Sequence, residues 1–227
     1  MKIVARLVAI LLPVAGAAAQ TGPGDFAPPK TGLVVVYDTV NTPLEGDKAG
    51  QPDRKSTTMT VLGVEGDIVL NRVEIEGQPA VEARTLRAVM TVERASAAGT
   101  LVLQGDLAPV RALWPLAEGK TARFAAFVIV ARRDTLGQLG AFQRIASHEE
   151  TWTVEKRETV ESPAGRFDAF VLKRDYATTP LGGAPVERAT YRVWLAPALG
   201  WYVRFEGVQS QPVRRKTEHL VREIRGH

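Results

Sequence analysis

The sequence predicts an all-β protein: an antiparallel meander curled into a barrel or a half-barrel, with at most one or two short helices. Apolar and polar residues alternate in successive short runs, and segments rich in glycine, proline and aspartate separate the runs. The runs do not alternate with helical segments, as parallel crossover units would require. They number about ten, and a sheet of that size curls or closes instead of staying flat.

The first 19 residues have the three parts of a secretory signal peptide. Lys2 and Arg6 give a positive start, residues 7–14 form an apolar run, and three alanines end the segment at Ala19. The apolar run is shorter than the ~20 residues of a membrane-spanning helix, and Pro13 interrupts it. We therefore predict cleavage after Ala19 and an exported, soluble, periplasmic protein. Lipoproteins carry their lipid on a cysteine that follows the signal peptide. Because the chain has no cysteine, we expect that it is not a lipoprotein.

The mature chain is predicted to be one domain. Its 208 residues (227 − 19) can bury about 70% of the surface that the unfolded chain exposes. Residues 20–32 carry turn formers and little to bury, which predicts an extended lead-in before a single β domain over residues 33–227. Removing Lys2 and Arg6 leaves 27 basic residues (29 − 2) against 25 acidic ones. That balance argues against a nucleic-acid partner.

The first half of the domain predicts one hairpin and one ambiguous segment. Alternating residues on both sides of Glu65-Gly66-Asp67 indicate two strands joined by a turn. Residues 80–98 are rich in alanine, glutamate and arginine, which favour a helix. Their apolar residues also alternate with polar ones, so we predict a strand and keep the helix as the alternative. A short helix is expected near residues 108–113.

Residues 124–131 are apolar at every position. Such a run is typical of a strand covered on both faces, and a buried helix is the alternative. Its length and its β-branched and aromatic content favour the strand. We therefore predict a central strand, or one with another element packed on its outer side.

The second half of the domain predicts two hairpins and a last strand. The first hairpin turns at Pro163-Ala164-Gly165, and the second joins residues 187–196 to residues 201–206 through a tight reversal. Alternation is most regular in residues 187–196. Residues 216–224 form a weaker strand.

The segment His148-Glu149-Glu150-Thr151-Trp152 comes nearest to a catalytic motif. A zinc-protease helix needs a second histidine four residues after the first, and Trp152 stands there. The remaining histidines, His219 and His227, lie at the far end of the chain. We therefore interpret His148 as a solvated side chain at a strand edge, and we predict neither a metal site nor a cofactor.

Other catalytic patterns are missing from the sequence. None of the serines lies in a Gly-x-Ser-x-Gly elbow. The glycine-rich loop at residues 181–185 lacks the lysine and the helix that a phosphate-binding loop needs. Two carboxylates converging from different strands would still allow hydrolysis, although the sequence singles out no pair. We predict a non-enzymatic protein with no catalytic residue.

Two groups of residues are candidates for binding. The tryptophans could line an apolar ligand cavity or simply fill the core; they are Trp114, Trp152, Trp194 and Trp201. Two basic clusters could face anionic lipid headgroups or protect strand edges against pairing. We prefer the edge interpretation for these clusters, Arg132-Arg133 and Arg214-Arg215-Lys216.

Three stretches, in this order, resemble motifs of a broad group of exported bacterial β-proteins known only as domains of unknown function. Residues 113–120 (LWPLAEGK) resemble a PL-x-x-GK entry to a strand. Residues 158–169, with PAGRFDA, resemble E-T-V-x-V-P-A-G-T-F-x-A, and residues 191–200, with WLAPALG, resemble W-Y-x-P-x-x-G. Ser162 replaces a usual valine and Leu195 a usual aromatic residue. The resemblance covers roughly the second half of the chain.

The resemblance implies a fold more than a function, because the motifs are turns and strand ends. Some members of the group look like curved-sheet lipoprotein carriers and related envelope lipid-binding proteins, in which a half-barrel encloses an acyl chain. That likeness is an analogy of fold. It leads to the expectation of a lipid or another hydrophobic small molecule as ligand.

Two non-enzymatic hypotheses follow. The first is a periplasmic carrier with an apolar cavity on the order of several hundred Å³ inside the curved sheet, open at one end and partly lined by tryptophan. The alternative is an envelope interaction or scaffold protein with a filled core. It would recognise a protein or glycan partner through a sheet edge or a loop, and it would expose an apolar patch.

Overall fold

The computed structural model describes residues 24–184 and 186–226. The predicted signal peptide with its cleavage site, the first residues of the lead-in, and His227 lie outside the described residues. The helix is α1 (Ala108–Arg111). The strands are β1 (Val34–Pro43), β2 (Asp53–Glu65), β3 (Ile68–Ile75), β4 (Val81–Leu86), β5 (Met90–Ser96), β6 (Gly99–Gly105), β7 (Thr121–Arg132), β8 (Gln143–Ser162), β9 (Gly165–Pro180), β10 (Glu187–Ala196), β11 (Trp201–Gln211) and β12 (Arg215–Arg225).

The strands form a closed antiparallel barrel. Each strand pairs with its neighbours in the chain, and β12 pairs with β1. The prediction of an all-β meander is confirmed, and the barrel is the form that occurs. Closure also overturns one prediction: Arg132-Arg133 and Arg214-Arg215-Lys216 cannot protect strand edges, because every described strand has a partner on both sides.

Residues 80–98 form strands, as predicted, but a tight turn divides them into β4 and β5. Arg87 and Ala88 have φ angles of 46° and 61°, a conformation that L-residues seldom adopt. Asp67 holds this turn in place: its carbonyl accepts from Arg87 N at 2.8 Å, and its carboxylate accepts from Arg87 Nε at 3.2 Å and from Arg111 Nε at 2.8 Å. The hydrogen bond from Arg111, with both positive charges, holds the pKa of Asp67 below its usual value.

The end of the barrel that contains Asp67 and α1 is the closed end. Residues of α1 and of the segment after it, Val110, Leu113 and Leu116, are buried in the apolar core there. The lead-in packs over the same end, where Leu116 N donates to Gly24 O at 2.6 Å. Gly200 lies against the backbone of residues 27–29 with a φ of 61°, and a Cβ at this position would collide with that backbone.

The expectation that residues 124–131 are covered on both faces is wrong. Phe124, Ala126 and Val128 point inward and are buried, but Ala125 is exposed and Phe127 is 38% exposed. An apolar run therefore occurs here on a strand with one solvated face. The Arg144 guanidinium shields the outward ring, since it lies 3.5 Å from the Phe127 ring centroid.

Helices contribute little to this fold. In the described part of the chain, no helix has the length and apolar character needed to cross a membrane.

The end of the barrel opposite the closed end is called the rim. It consists of six connections, which join β1 to β2, β3 to β4, β5 to β6, β7 to β8, β9 to β10, and β11 to β12.

Candidate functional site

A polar cluster lies on the inner face of the barrel, called the lumen. Alternation along β8 turns His148, Glu150 and Trp152 inward. Glu150, whose side chain is fully buried, accepts hydrogen bonds from Arg174 Nε at 2.5 Å and from Trp152 Nε1 at 2.8 Å. The oxygen that accepts from Arg174, Oε2, also lies 3.2 Å from His148 Nε2. The buried carboxylate is therefore paired and hydrogen-bonded, as burial of a charge requires.

Arg174 completes the cluster from β9. It is the cross-strand partner of Trp152, and its guanidinium lies 5.5 Å from the Trp152 ring centroid and 4.8 Å from that of Tyr176. Burial by itself would raise the pKa of Glu150. The charge of Arg174 and the hydrogen bonds from His148 and Trp152 outweigh burial and hold this pKa below its usual value.

The interpretation of His148 as a solvated side chain is wrong, because the residue is only 4% exposed. Its Nδ1 lies 2.8 Å from Thr178 Oγ1 on β9, and its Nε2 faces Glu150. The signal was present in the sequence: the inward alternation through Trp152 and Val154 extends back to positions 148 and 150. The acidic neighbour Glu149 is the residue that faces solvent.

The acidic and histidine side chains of the cluster are few. Among the described residues, no group of three or more histidines, aspartates and glutamates could hold a metal ion. Glu150 is the one carboxylate that is buried within residues 24–184 and 186–226. Its oxygens are already engaged by Arg174, Trp152 and His148.

A belt of aromatic rings continues from this cluster around the lumen. Each of seven consecutive strands, β7 to β12 and then β1, contributes one ring. Neighbouring ring centroids lie between 4.9 and 6.5 Å apart. In order around the barrel, the rings belong to Phe124, His148, Tyr176, Tyr191, Phe205, His219 and Tyr37. Sequence analysis missed this belt, because it depends on the register between strands and not on spacing within one strand.

The polar atoms of the belt have partners on neighbouring strands. The Tyr176 hydroxyl donates to Glu187 Oε1 at 2.7 Å and lies 3.4 Å from the Tyr191 hydroxyl. His219 Nδ1 lies 3.1 Å from Thr39 Oγ1. Burial lowers the pKa of His219 to about 4, so this imidazole is neutral at pH 7.

A cavity of about 160 Å³ lies in the lumen beside the belt. One wall is aromatic, with Trp201, Tyr202, Tyr191 and Phe205, and the other is mostly aliphatic, with Met59 and Val73 among its residues. Arg174 also lines this cavity and brings the only formal charge among its lining residues. Thr91 lines it as well and is exposed to solvent, so the cavity is open. Its volume is smaller than the several hundred Å³ that the carrier hypothesis predicts.

The four tryptophans lie in different places. Trp201 lines the lumen cavity, and Trp152 belongs to the polar cluster. Trp114 packs edge-on against Phe26 at the closed end, with ring centroids 6.4 Å apart. Trp194 is only 4% exposed, and its Nε1 donates to Glu158 Oε1 at 2.6 Å. The structure therefore brings one of the four candidates to the cavity.

A second depression, of about 690 Å³, lies on the outer face of β7 to β11. Its lining mixes polar and apolar groups and carries charges of both signs, from Arg123, Glu149, Asp175 and Arg188. Asp175 accepts a 2.6 Å hydrogen bond from Thr190 within it. The charges of both signs in this depression favour no one class of ligand, so the lumen is the stronger candidate site.

Fold and site together define a closed antiparallel β-barrel with a polar, aromatic-lined lumen. No family model and no curated protein matches the chain. Among solved structures, it is similar to the hypothetical lipoprotein YmcC from Escherichia coli, with 12% identity, 83% of this chain and 86% of that chain covered, and a TM-score of 0.46.

Two further solved structures have similar folds. One is a candidate lipoprotein from Parabacteroides distasonis, with 14% identity, 90% of this chain and 100% of that chain covered, and a TM-score of 0.42. The other is a candidate exported protein with a YmcC-like fold from Bacteroides fragilis, with 12% identity, 89% and 100% covered, and a TM-score of 0.40. These similarities are too low to transfer a function, so the function has to be inferred from the geometry of this chain.

Proposed function

We propose that this protein is a non-enzymatic binding protein of the cell envelope that holds part of an amphipathic ligand in the lumen of its barrel. The observation that carries the proposal is the composition of the lumen cavity. It has an aromatic wall, a mostly aliphatic wall that also carries Asn71, Thr85 and Thr91, and a single guanidinium. Ligand sites in proteins commonly combine an apolar lining with a few placed polar groups.

The polar cluster would orient the ligand. Glu150 accepts a hydrogen bond from Arg174 Nε. The Nη atoms of a guanidinium carry further N–H donors. A carboxylate, phosphate or sulfate on the ligand would accept from these donors. The apolar part would then lie between Tyr191 and Phe205 on one side and Met59 and Val73 on the other.

The size of the cavity limits the part of the ligand that it can enclose. Its 160 Å³ is below the roughly 300–1,000 Å³ of typical ligand pockets. A long acyl chain would therefore extend beyond the cavity, and a small amphiphile would fit better. The same volume favours the alternative function, an interaction protein with a filled core, so the experiment has to separate the two.

Native mass spectrometry of the mature protein, taken from a periplasmic extract without detergent, tests the proposal. We expect a discrete added mass that disappears after solvent extraction and returns on incubation with envelope lipids or fatty acids. A bare mass under all of these conditions would contradict ligand binding and support the interaction protein.

A matched pair of variants tests whether the ligand binds in the lumen. Val73→Trp on β3 fills the cavity and should abolish the added mass, whereas Glu74→Trp, on the outer face of the same strand, should leave it unchanged. Val73 lines the cavity, and Glu74 is exposed. If both variants keep the ligand, the ligand binds elsewhere. Circular dichroism in the near ultraviolet shows whether each variant is folded.

A further inference from the structure

The most exposed large apolar side chains of the described chain lie at the rim. They are Leu136, Leu181, Val213 and Phe142, which are 80%, 61%, 56% and 51% exposed. They lie in the connections between β7 and β8, β9 and β10, and β11 and β12. These connections are neighbours, because β7 to β12 are consecutive in the barrel. Together these three connections, residues 133–142, 181–186 and 212–214, are called the docking rim; Pro185 is not among the described residues.

Exposed arginines surround these apolar side chains. Six lie in the docking rim or within two residues of it: Arg132, Arg133, Arg144, Arg188, Arg214 and Arg215. The acidic residues over the same span, among those described, are Asp134 and Glu187. Asp134 caps its own turn by accepting from the backbone N–H groups of Leu136 and Gln138 at 2.9 and 2.8 Å, and Glu187 accepts from Tyr176. The docking rim therefore carries an excess of positive charge.

The rest of the chain does not share this charge. The predicted mature chain has 27 basic and 25 acidic residues (29 − 2 and 25), so an excess on one side of the rim is a local concentration. The connection between β3 and β4, on the other side of the rim, contains Glu76 and lies between Glu74 and Glu82, of which Glu82 pairs with Arg72. The rim is therefore electrostatically asymmetric.

We propose that the docking rim seats the barrel on a bilayer surface with anionic headgroups. Exposed aliphatic and aromatic side chains at the tips of separate loops can enter the boundary between headgroups and acyl chains. The arginines beside them would meet the negative surface potential. A second copy of this chain fits less well, because its docking rim would bring like charges together.

This surface is independent of the lumen proposal, but the two are compatible. A barrel seated by its docking rim has the rim end of its lumen toward the bilayer, which is the source of amphipathic ligands. If the protein does not dock on membranes, the proposal of a ligand in the lumen still stands. If the lumen binds no ligand, the docking proposal still stands.

Co-flotation of the mature protein with vesicles tests docking. Vesicles of phosphatidylethanolamine and phosphatidylglycerol should carry the protein, and added salt should release it, since salt screens the attraction. Phosphatidylcholine vesicles should carry much less. Equal flotation with both vesicle types, or flotation with neither, would overturn the proposal.

Variants separate the apolar part of docking from the charged part. Leu136→Ser with Phe142→Ser should reduce flotation strongly, whereas Leu62→Ser, at a residue on β2 that is 43% exposed, should not. Arg133→Gln, Arg214→Gln and Arg215→Gln should each lower the partition coefficient about fivefold. Loss of flotation in Leu62→Ser to the same degree, or a concentration-dependent dimer by analytical ultracentrifugation that disappears in Leu136→Ser, would contradict lipid docking.

Discussion

The ring of Tyr191 lies directly over the backbone of Gly207, its cross-strand partner on β11. A Cβ on Gly207 would collide with several atoms of that ring. Gly207 does not have a positive φ, so the site requires a missing side chain and not an unusual backbone conformation. The gap lets Tyr191 lie between Tyr176 and Phe205, at ring-centroid distances of 5.6 and 4.9 Å, as part of the aromatic belt.

Gly207→Ala should therefore destabilise the protein by about 1–3 kcal/mol, the usual cost of overpacking. Gly63→Ala is the matched control, because a Cβ on this β2 glycine would meet nothing within 4 Å. Denaturation in urea measures both changes. In a Tyr191→Ala background the cost of Gly207→Ala should vanish, as expected for two residues in direct contact. An equal cost for both glycine variants would mean that the ring has room to move.

Glu150→Gln should cost about 3 kcal/mol or more, because it leaves the largely buried Arg174 without its charged partner. The side chain of Glu150 is fully buried and that of Arg174 is 18% exposed. Glu149→Gln, one residue away on the outer face of β8, should change stability by less than about 0.5 kcal/mol. Urea denaturation of the two variants and the wild type gives the comparison. Similar small effects at both positions would show that the polar cluster contributes little to the free energy of unfolding.

Two buried tryptophans should respond differently to the same substitution. Trp152 Nε1 donates to Glu150, whereas Trp201 Nε1 is buried without a hydrogen-bond partner in the described chain. Beyond the effect of the void, Trp152→Phe should lower the free energy of unfolding by about 1–3 kcal/mol, because it leaves an acceptor on Glu150 unsatisfied. Trp201→Phe also removes a donor, but that donor interacts with the Tyr37 hydroxyl without reaching hydrogen-bond geometry, so less is lost. Both variants leave a similar void, so a larger loss of stability in Trp201→Phe would contradict this argument.

The architecture could be predicted from the sequence because alternation with a period of two is a local property. Residues 187–196 illustrate this, since their alternation alone identifies β10. The turn at Arg87 and Ala88 could not be predicted, because neither residue type favours a positive φ and the stabilising contacts come from Asp67. The candidate site was missed for a related reason. The belt and the pairing of Arg174 with Glu150 depend on the register between strands, which alternation within a strand does not specify.

Stability should fall on mild acidification because of His219. Burial lowers the pKa of this imidazole to about 4, from its ordinary value of 6.5. The unfolded chain therefore binds a proton at a higher pH than the folded one, and the stabilisation present above pH 6.5 is lost as the pH falls toward 4. Between pH 7 and pH 5 the loss should be about 2 kcal/mol. The carboxyls with lowered pKa values, such as Glu150, act in the same direction but below their unfolded pKa of about 4.5.

Urea denaturation at pH 7, 6 and 5 isolates the contribution of His219, because the carboxyls scarcely titrate in that range. His219→Gln keeps a polar side chain beside Thr39 but cannot take up the proton, so its free energy of unfolding should vary much less with pH. Comparing slopes, and not absolute stabilities, removes the effect of the substitution on packing. If the variant and the wild type lose stability in parallel, another group is responsible for the acid sensitivity. The protonated His219 would then be stabilised in the folded protein by water or by a rearranged partner.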